Sequence, residues 1–213
     1  MKSHDLARNW VYAEDFPREV PVLELAREQA ERLDAAPVAP SVAALLTILA
    51  ATGKAQHTVE IGCGAGVSTV ALLSGLPAGT SLTTIDIDAT RSQAVRSLLS
   101  ATGLEQSHRV RVITGDALQV LPRLSPGSYD LALVDAGPEL ADQLVLNALA
   151  LLASGGLLIL HDPLAGGAVA SPTDRDGVTV TLRSVLHDIA ACTEDVFVSL
   201  LYVGSGLYLI YKK

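Results

Sequence analysis

The sequence predicts an α/β protein: a doubly wound sheet of seven strands, mostly parallel, with helices on both faces and an antiparallel hairpin at its end. Three observations carry that prediction. From Thr58 onward, short apolar runs of β type alternate with segments of helical spacing, the cadence of a parallel sheet flanked by helices. One run, Val59-Glu60-Ile61, opens onto Gly62-Cys63-Gly64-Ala65-Gly66 and then a helical pattern. A strand, a glycine turn and a helix N-terminus together present free backbone N–H groups to a ligand. Finally, the apolar runs Val196–Val203 and Leu207–Tyr211 are joined across Gly204-Ser205-Gly206, and so tight a turn pairs its strands antiparallel.

Taken in order, residues 1–52 read as N-terminal helices, near 17–34 and 41–52, separated by Ala36-Pro37-Val38-Ala39-Pro40. Leu23, Leu25, Ala26, Ala30 and Leu33 give the first an apolar side. Residues 53–213 read as the ligand-binding core, and 1–213 as a single domain, because a chain of this length buries one core. Strands are expected at Thr58–Ile61, Ser81–Asp86, Val110–Thr114, Tyr129–Asp135 and Gly156–His161, ahead of the terminal pair. Helices are expected near 66–76, 88–102, 116–124, 138–153 and 178–191. Asp88 is placed as an N-cap and Gly103 as the glycine that ends the same helix. Pro163 to Gly177, with three Gly and two Pro, reads as a long loop beyond a strand's carboxyl end, a position where functional lids occur.

Composition narrows the ligand. The net charge is −8 and the basic residues are scattered, so there is no stripe to track phosphates and no nucleic acid partner is expected. The longest apolar stretch, Leu144 to Leu160, is interrupted by Asn147, Ser154, Gly155 and Gly156, short of the ~18 residues that span a membrane. Lys2, His4, Asp5, Arg8 and Asn9 leave the first ten residues without an apolar leader core. Two cysteines, Cys63 and Cys192, form neither a disulfide framework nor a metal knuckle. A cytoplasmic protein acting on a small molecule is the expectation.

In open α/β sheets ligands bind beyond the carboxyl ends of the strands, so the residues at those ends carry the chemistry. After the first strand comes the glycine loop, whose Gly62, Gly64 and Gly66 alternate. The dinucleotide pattern G-x-G-x-x-G would need a third glycine at position 67, where the chain has Val67. After the second strand, twenty residues past Gly66, Asp86 is placed to accept ribose hydroxyl protons, with Ile87 beside it. After the third, Asp116 and Ala117 are placed against an adenine, Asp116 serving equally as a helix cap. The fourth ends in Asp135 and the fifth in His161-Asp162. Two carboxylates on adjacent strand ends repel unless they share a cation or a proton, which raises a divalent metal with oxygen ligands as one option. His161, beside them, titrates near neutrality and is the candidate base.

The stretch E-x-G-x-G-x-G from Glu60 to Gly66 resembles motif I of the class I S-adenosylmethionine-dependent methyltransferases, a Rossmann-like family whose sheet ends in an antiparallel hairpin. With Val38, Pro40–Gly53, Thr83–Asp88, the fourth strand to Asp135 and the fifth to Asp162, the chain resembles the bacterial O-methyltransferases related to the catechol and caffeoyl-CoA enzymes. The resemblance covers nearly all of residues 36–213. It implies S-adenosylmethionine as cofactor, lined by Val38, Glu60, Gly62, Cys63, Ser68, Asp86, Ala117 and Asp135, with Ser68 on the methionine carboxylate at the helix N-terminus. It also implies a homodimer, a hydroxyl acceptor, and Asp135 and Asp162 as ligands of Mg²⁺. Two departures stand against the metal. The metal-dependent members follow the fourth-strand Asp with Ala-Asp-Lys, the Lys being their base, where this chain reads Ala136-Gly137-Pro138; their third ligand, an Asn after the fifth-strand Asp, is here Pro163. Two other readings remain open: a cofactor-binding protein without catalysis, and an NAD(P)-dependent oxidoreductase, against which Val67 and the terminal hairpin both argue.

Overall fold

The computed structural model describes residues 3–213, so Lys2, one of the polar residues set against a leader, lies outside it. Helices α1 (Ser3–Asp15), α2 (Pro21–Arg32) and α3 (Pro40–Gly53) come first. There follow β1 (His57–Ile61), α4 (Val67–Gly75), β2 (Ser81–Asp86), α5 (Ala89–Thr102), α6 (Leu104–Ser107) and β3 (Arg109–Thr114). The second half runs α7 (Ala117–Val120), β4 (Tyr129–Val134), α8 (Ala141–Leu151), β5 (Leu152–His161), α9 (Gly177–Ala191), β6 (Val196–Leu201) and β7 (Leu207–Lys212). The seven strands form one sheet in the order β3-β2-β1-β4-β5-β7-β6. All neighbours are parallel except β5–β7 and β6–β7, which are antiparallel.

Strand β4 shows how the sequence builds two helical layers. Successive side chains leave a strand on opposite faces. Leu131 and Leu133 accordingly join the core beneath α2, α3, α4 and α5, with Leu46, Leu72 and Leu98. Ala132 and Val134 join the other core, with Leu144 and Ala148 of α8 and Leu182 of α9. Buried on both faces, such strands read as continuous apolar runs rather than alternating ones.

The helix ends follow local chemistry. Asp88 caps α5, accepting the N–H of Thr90 at 2.7 Å and of Arg91 at 3.3 Å, and Gly103 closes that helix at φ 72°. At the far end of the sheet, Lys212 Nζ donates to the carbonyls of Leu149 and Leu152 at 3.0 and 2.7 Å, satisfying carbonyls where α8 passes into β5.

Several boundaries differ from expectation. Helix α1 carries no capping or periodic signal: Trp10, Val11 and Tyr12 are consecutive and largely exposed. Its place is set by tertiary contacts, with Glu14 accepting the Ser41 hydroxyl and, at 2.8 Å, the N–H of Gly204, while Trp10 stacks on Tyr202. The second helix starts at Pro21 rather than 17, because proline suits the first helical turn, where its missing N–H costs nothing. Leu25, expected on its apolar side, is exposed because it lies off the buried row of Leu23, Ala26 and Ala30. The helix expected over 138–153 begins as a 3-10 turn, Pro138–Leu140, and stops at Leu151. Strand β5 therefore starts four residues earlier than expected, at Leu152, with an irregular register against β4 between Tyr129 and Leu131. The loop after β5 holds a 3-10 turn, Ala165–Gly167, and is organised by Arg183 of α9, which donates to the carbonyls of Ala168, Val169, Ser171 and Asp174. Among the described residues no helix is long and apolar enough to cross a membrane.

Candidate functional site

A cavity of about 390 Å³ opens at the carboxyl ends of β1, β2 and β4 and reaches the turn after β3. Its walls are Gly62, Cys63, Gly64 and Ser68 after β1, Asp86 and Ile87 after β2, Asp116 and Ala117 after β3, and Asp135 after β4, closed by Val38 from the linker before α3. The structure thus brings together ten of the residues singled out from sequence.

The three glycines differ in purpose. At Gly62, φ is +87° and an added Cβ would lie 2.0 Å from the carbonyl oxygen of Asp135, so two strand ends touch through a missing side chain. Gly66, at φ +100°, backs onto Leu98 of α5, where a Cβ would come within 3.1 Å; its role is helix packing, and it does not line the cavity. Only Gly64 faces open space while lining the cavity. Helix α4 begins at Val67 with no side-chain cap on its first N–H groups, leaving those donors and the positive end of the helix dipole to an anion.

Asp86 fixes the loop. One carboxylate oxygen accepts the N–H groups of Cys63 at 3.1 Å and Gly64 at 3.0 Å; the other accepts that of Asp88 at 2.9 Å. The Cys63 thiol also points at the first oxygen, at 3.6 Å; the second carries a single N–H and so keeps an acceptor position for a ligand hydroxyl. Asp116 accepts the N–H of Leu118 at 2.9 Å as the cap of α7 while lining the cavity; the two roles expected of it coexist.

Glu60 stands behind the loop rather than in the cavity wall. It is fully buried, and its two oxygens take the hydroxyls of Ser68 at 2.7 Å and Thr69 at 2.6 Å. The Ser68 hydroxyl proton is thus committed to Glu60, and what α4 offers an anion is backbone N–H. Burial pushes the Glu60 carboxyl up from 4.5 to about 7, against the pull of the Thr69 and Ser68 hydroxyls. A folded-state pKa above the unfolded one contributes stability that is complete below 4.5 and lost as pH rises through about 7. Relative to Glu60→Gln, the native chain is expected to lose about 3 kcal/mol across that window, checked by chemical denaturation of both proteins from pH 4.5 to 8.

Burial drives the Cys63 thiol well above its ordinary range, and the charges of Glu60 and Asp86 push the same way, so Cys63 is a packing residue without thiolate chemistry. Sequence reasoning missed Ala35, Ala36 and Pro37 in the linker, Arg91 on α5, and Leu140 and Leu144. The linker is tied down by Arg27, which pairs with Glu19 and donates to the Val38 carbonyl at 2.8 Å, while Gln29 donates to Ala65 at 2.8 Å. Helical spacing from the Asp88 cap could have found Arg91; nothing local marks the linker.

At the cavity's edge Asp135 and His161 meet. His161 Nδ1 lies 2.6 Å from Asp135 Oδ1, with side-chain exposures of 13% and 26%. Burial alone would lower the imidazole's pKa, but the hydrogen bond and charge of Asp135, with the charge of Asp162, outweigh it and raise the pKa above its ordinary value. Among the described residues Asp162 makes no hydrogen bond to this pair; its carboxylate receives the Gly166 N–H, at 3.5 Å. The Mg²⁺ expectation does not fit these residues. Asp135 has one oxygen committed to His161, Pro163 has no side-chain oxygen, and among the described residues no three His, Cys, Asp or Glu side chains are grouped to hold a metal ion.

Residues 17–213 match the model of a family described as O-methyltransferase. The chain belongs to that family. It is 37% identical over 198 residues to a probable O-methyltransferase of Mycobacterium tuberculosis, covering 93% of this chain and 88% of that one. A putative O-methyltransferase of Mycobacteroides abscessus is likewise 37% identical over 179 residues, covering 84% and 83%. A solved Corynebacterium glutamicum protein superposes with a TM-score of 0.86 at 30% identity, covering 99% of this chain and 97% of that one. The O-methyltransferase TomG of Streptomyces achromogenes, involved in tomaymycin synthesis and solved in complex with S-adenosylmethionine, superposes with a TM-score of 0.84 at 25% identity, covering 100% of both chains. The seven-stranded, mostly parallel sheet and the antiparallel terminal hairpin of this O-methyltransferase are those expected from its sequence.

Proposed function

We propose that this O-methyltransferase moves the methyl group of S-adenosylmethionine to a hydroxyl of a small molecule, in the cytoplasm and without nucleic acid or membrane partners. The observation that carries the reading is the Asp86 carboxylate. It gathers the glycine loop and keeps an acceptor position facing the cavity, beside the uncapped start of α4. The cofactor supplies an electrophilic methyl on a sulfonium. Asp86 holds its ribose hydroxyls, Asp116 and Ala117 its adenine beside Ile87, and the first N–H groups of α4, at Val67 and Ser68, its carboxylate. Gly62, Cys63, Gly64 and Val38 shape the wall, and Glu60 and Gly66 support it from behind.

His161 is the base on which the proton released by the acceptor ends, held in orientation by Asp135. Positioning then supplies most of the rate of an in-line displacement. The exposed aromatic pairs Tyr12–Phe16 and Trp10–Tyr202 suit a homodimer, which light scattering reads directly. Calorimetry with S-adenosylhomocysteine tests the cofactor: micromolar binding is expected, and binding of NAD in its place would sink the reading.

A further inference from the structure

The residues that fail to make a metal site make something else. An ionised carboxylate only accepts hydrogen bonds, so the 2.6 Å contact places the His161 proton on Nδ1, toward Asp135 Oδ1. The neutral ring then has its lone pair at Nε2, and Ser205 Oγ lies 2.9 Å from that nitrogen. Three groups are joined by successive hydrogen bonds: an exposed serine hydroxyl, a largely buried imidazole and a carboxylate on the cavity wall. The order is that of a nucleophile or proton donor, a base and its orienting acid.

The turn that carries Ser205 is anchored on both sides. Gly204 N–H donates to Glu14 at 2.8 Å, and the Gly206 carbonyl accepts from Asp162 N–H at 3.1 Å. Leu164 and Pro163 pack against Gly206. Pro163 thus closes the turn at the position where the metal-dependent relatives are expected to offer a ligand.

We propose that Ser205 is a catalytic residue of methyl transfer: its hydroxyl meets the acceptor and, through His161 and Asp135, removes the acceptor's proton in place of a metal ion and a lysine. This rests on the methyl-transfer reading above. The acceptor oxygen gains the methyl group and the electron pair of the broken S–C bond stays on sulfur. The acceptor's proton passes to Ser205 Oγ as the Ser205 proton passes to His161 Nε2. His161 ends as an imidazolium paired with Asp135 and returns the proton to water. No oxidant, metal or further reactant enters the balance.

The test compares the native chain with Ser205→Ala, Ser205→Thr and His161→Gln. Nitrogen NMR of the native chain with S-adenosylhomocysteine bound should show His161 protonated at Nδ1, with Nε2 as an acceptor whose signal moves in Ser205→Ala. Millimolar Mg²⁺ should leave that signal unchanged. Turnover of labelled S-adenosylmethionine, on whichever of a panel of phenols, catechols and carboxylic acids is methylated, should survive a chelator. It should fall about 100-fold in Ser205→Ala and His161→Gln and recover in Ser205→Thr, with S-adenosylhomocysteine affinity unchanged throughout. A proton on Nε2, a His161 signal that follows Mg²⁺, native turnover in Ser205→Ala, or loss of S-adenosylhomocysteine affinity in that variant each overturns the relay. Failure of the native chain itself to bind S-adenosylhomocysteine strikes the cofactor reading, and the same nitrogen NMR on the ligand-free native and Ser205→Ala proteins then judges the hydrogen-bonded relay.

Discussion

Gly62→Ala is expected to destabilise the fold more than any other single methyl added to the glycine loop. The new Cβ would sit 2.0 Å from the Asp135 carbonyl oxygen and 2.7 Å from its carbon, both backbone atoms, at a φ of +87°. No side chain can rotate away, so β1 and β4 must part. The Asp135 N–H to Ile61 carbonyl bond at 2.8 Å lies directly beside the clash. Backbone strain and overpacking together amount to roughly 4 kcal/mol, or about 8–16 °C in melting temperature for a domain of this size. Gly64→Ala is the control. Its φ is also positive, at +49°, but the Cβ meets open space, so it should cost about 1 kcal/mol and weaken the cofactor instead. Thermal melts of both variants check the pair; equal losses would show that the contact with Asp135 does not set the cost.

Asp86→Asn is expected to abolish useful cofactor affinity while leaving the fold in place. The carboxylate accepts three backbone N–H groups, two of them from the glycine loop. An amide can present oxygen on one side only; on the other its NH₂ would face N–H donors. The loop loses charge-assisted bonds worth about 1.5–3 kcal/mol each, and the acceptor proposed for the ribose is weakened. A loss of at least ~100-fold in S-adenosylhomocysteine affinity, about 2.7 kcal/mol, should appear by calorimetry. An unchanged affinity would remove Asp86 from the cofactor's binding groups.

Both predictions concern residues that stand out in the sequence, and the reason is local. A glycine needed at positive φ and a carboxylate one strand end away are signals that survive without a neighbour's coordinates. Strand β4 was legible for the same reason, since any apolar run between two helical patterns must be buried on both sides. Helix α1 was not legible, because Glu14 owes its position to Ser41 and Gly204, the latter 190 residues away in sequence. Glu60 shows a subtler limit. The motif marks it, but only the packed hydroxyls of Ser68 and Thr69 turn it from a ligand-facing acid into a buried support. Ser205 carries no signal at all: a serine between two glycines in a hairpin reads as turn chemistry. It becomes a partner of His161 only because β5 and β7 pair with His161 opposite Leu207.

That pairing has a consequence for how the activity can change over time. A parallel β7 would deliver its preceding turn to the far edge of the sheet; the reversed strand returns residues 202–206 to the reactive edge. In the reading proposed above, the cofactor is handled by the ends of β1 to β4 and the proton by the end of β5 and the hairpin. On that reading, substitutions in one short turn are expected to retune acceptor and proton handling with little change in cofactor affinity, which makes the hairpin tip the first place to redesign.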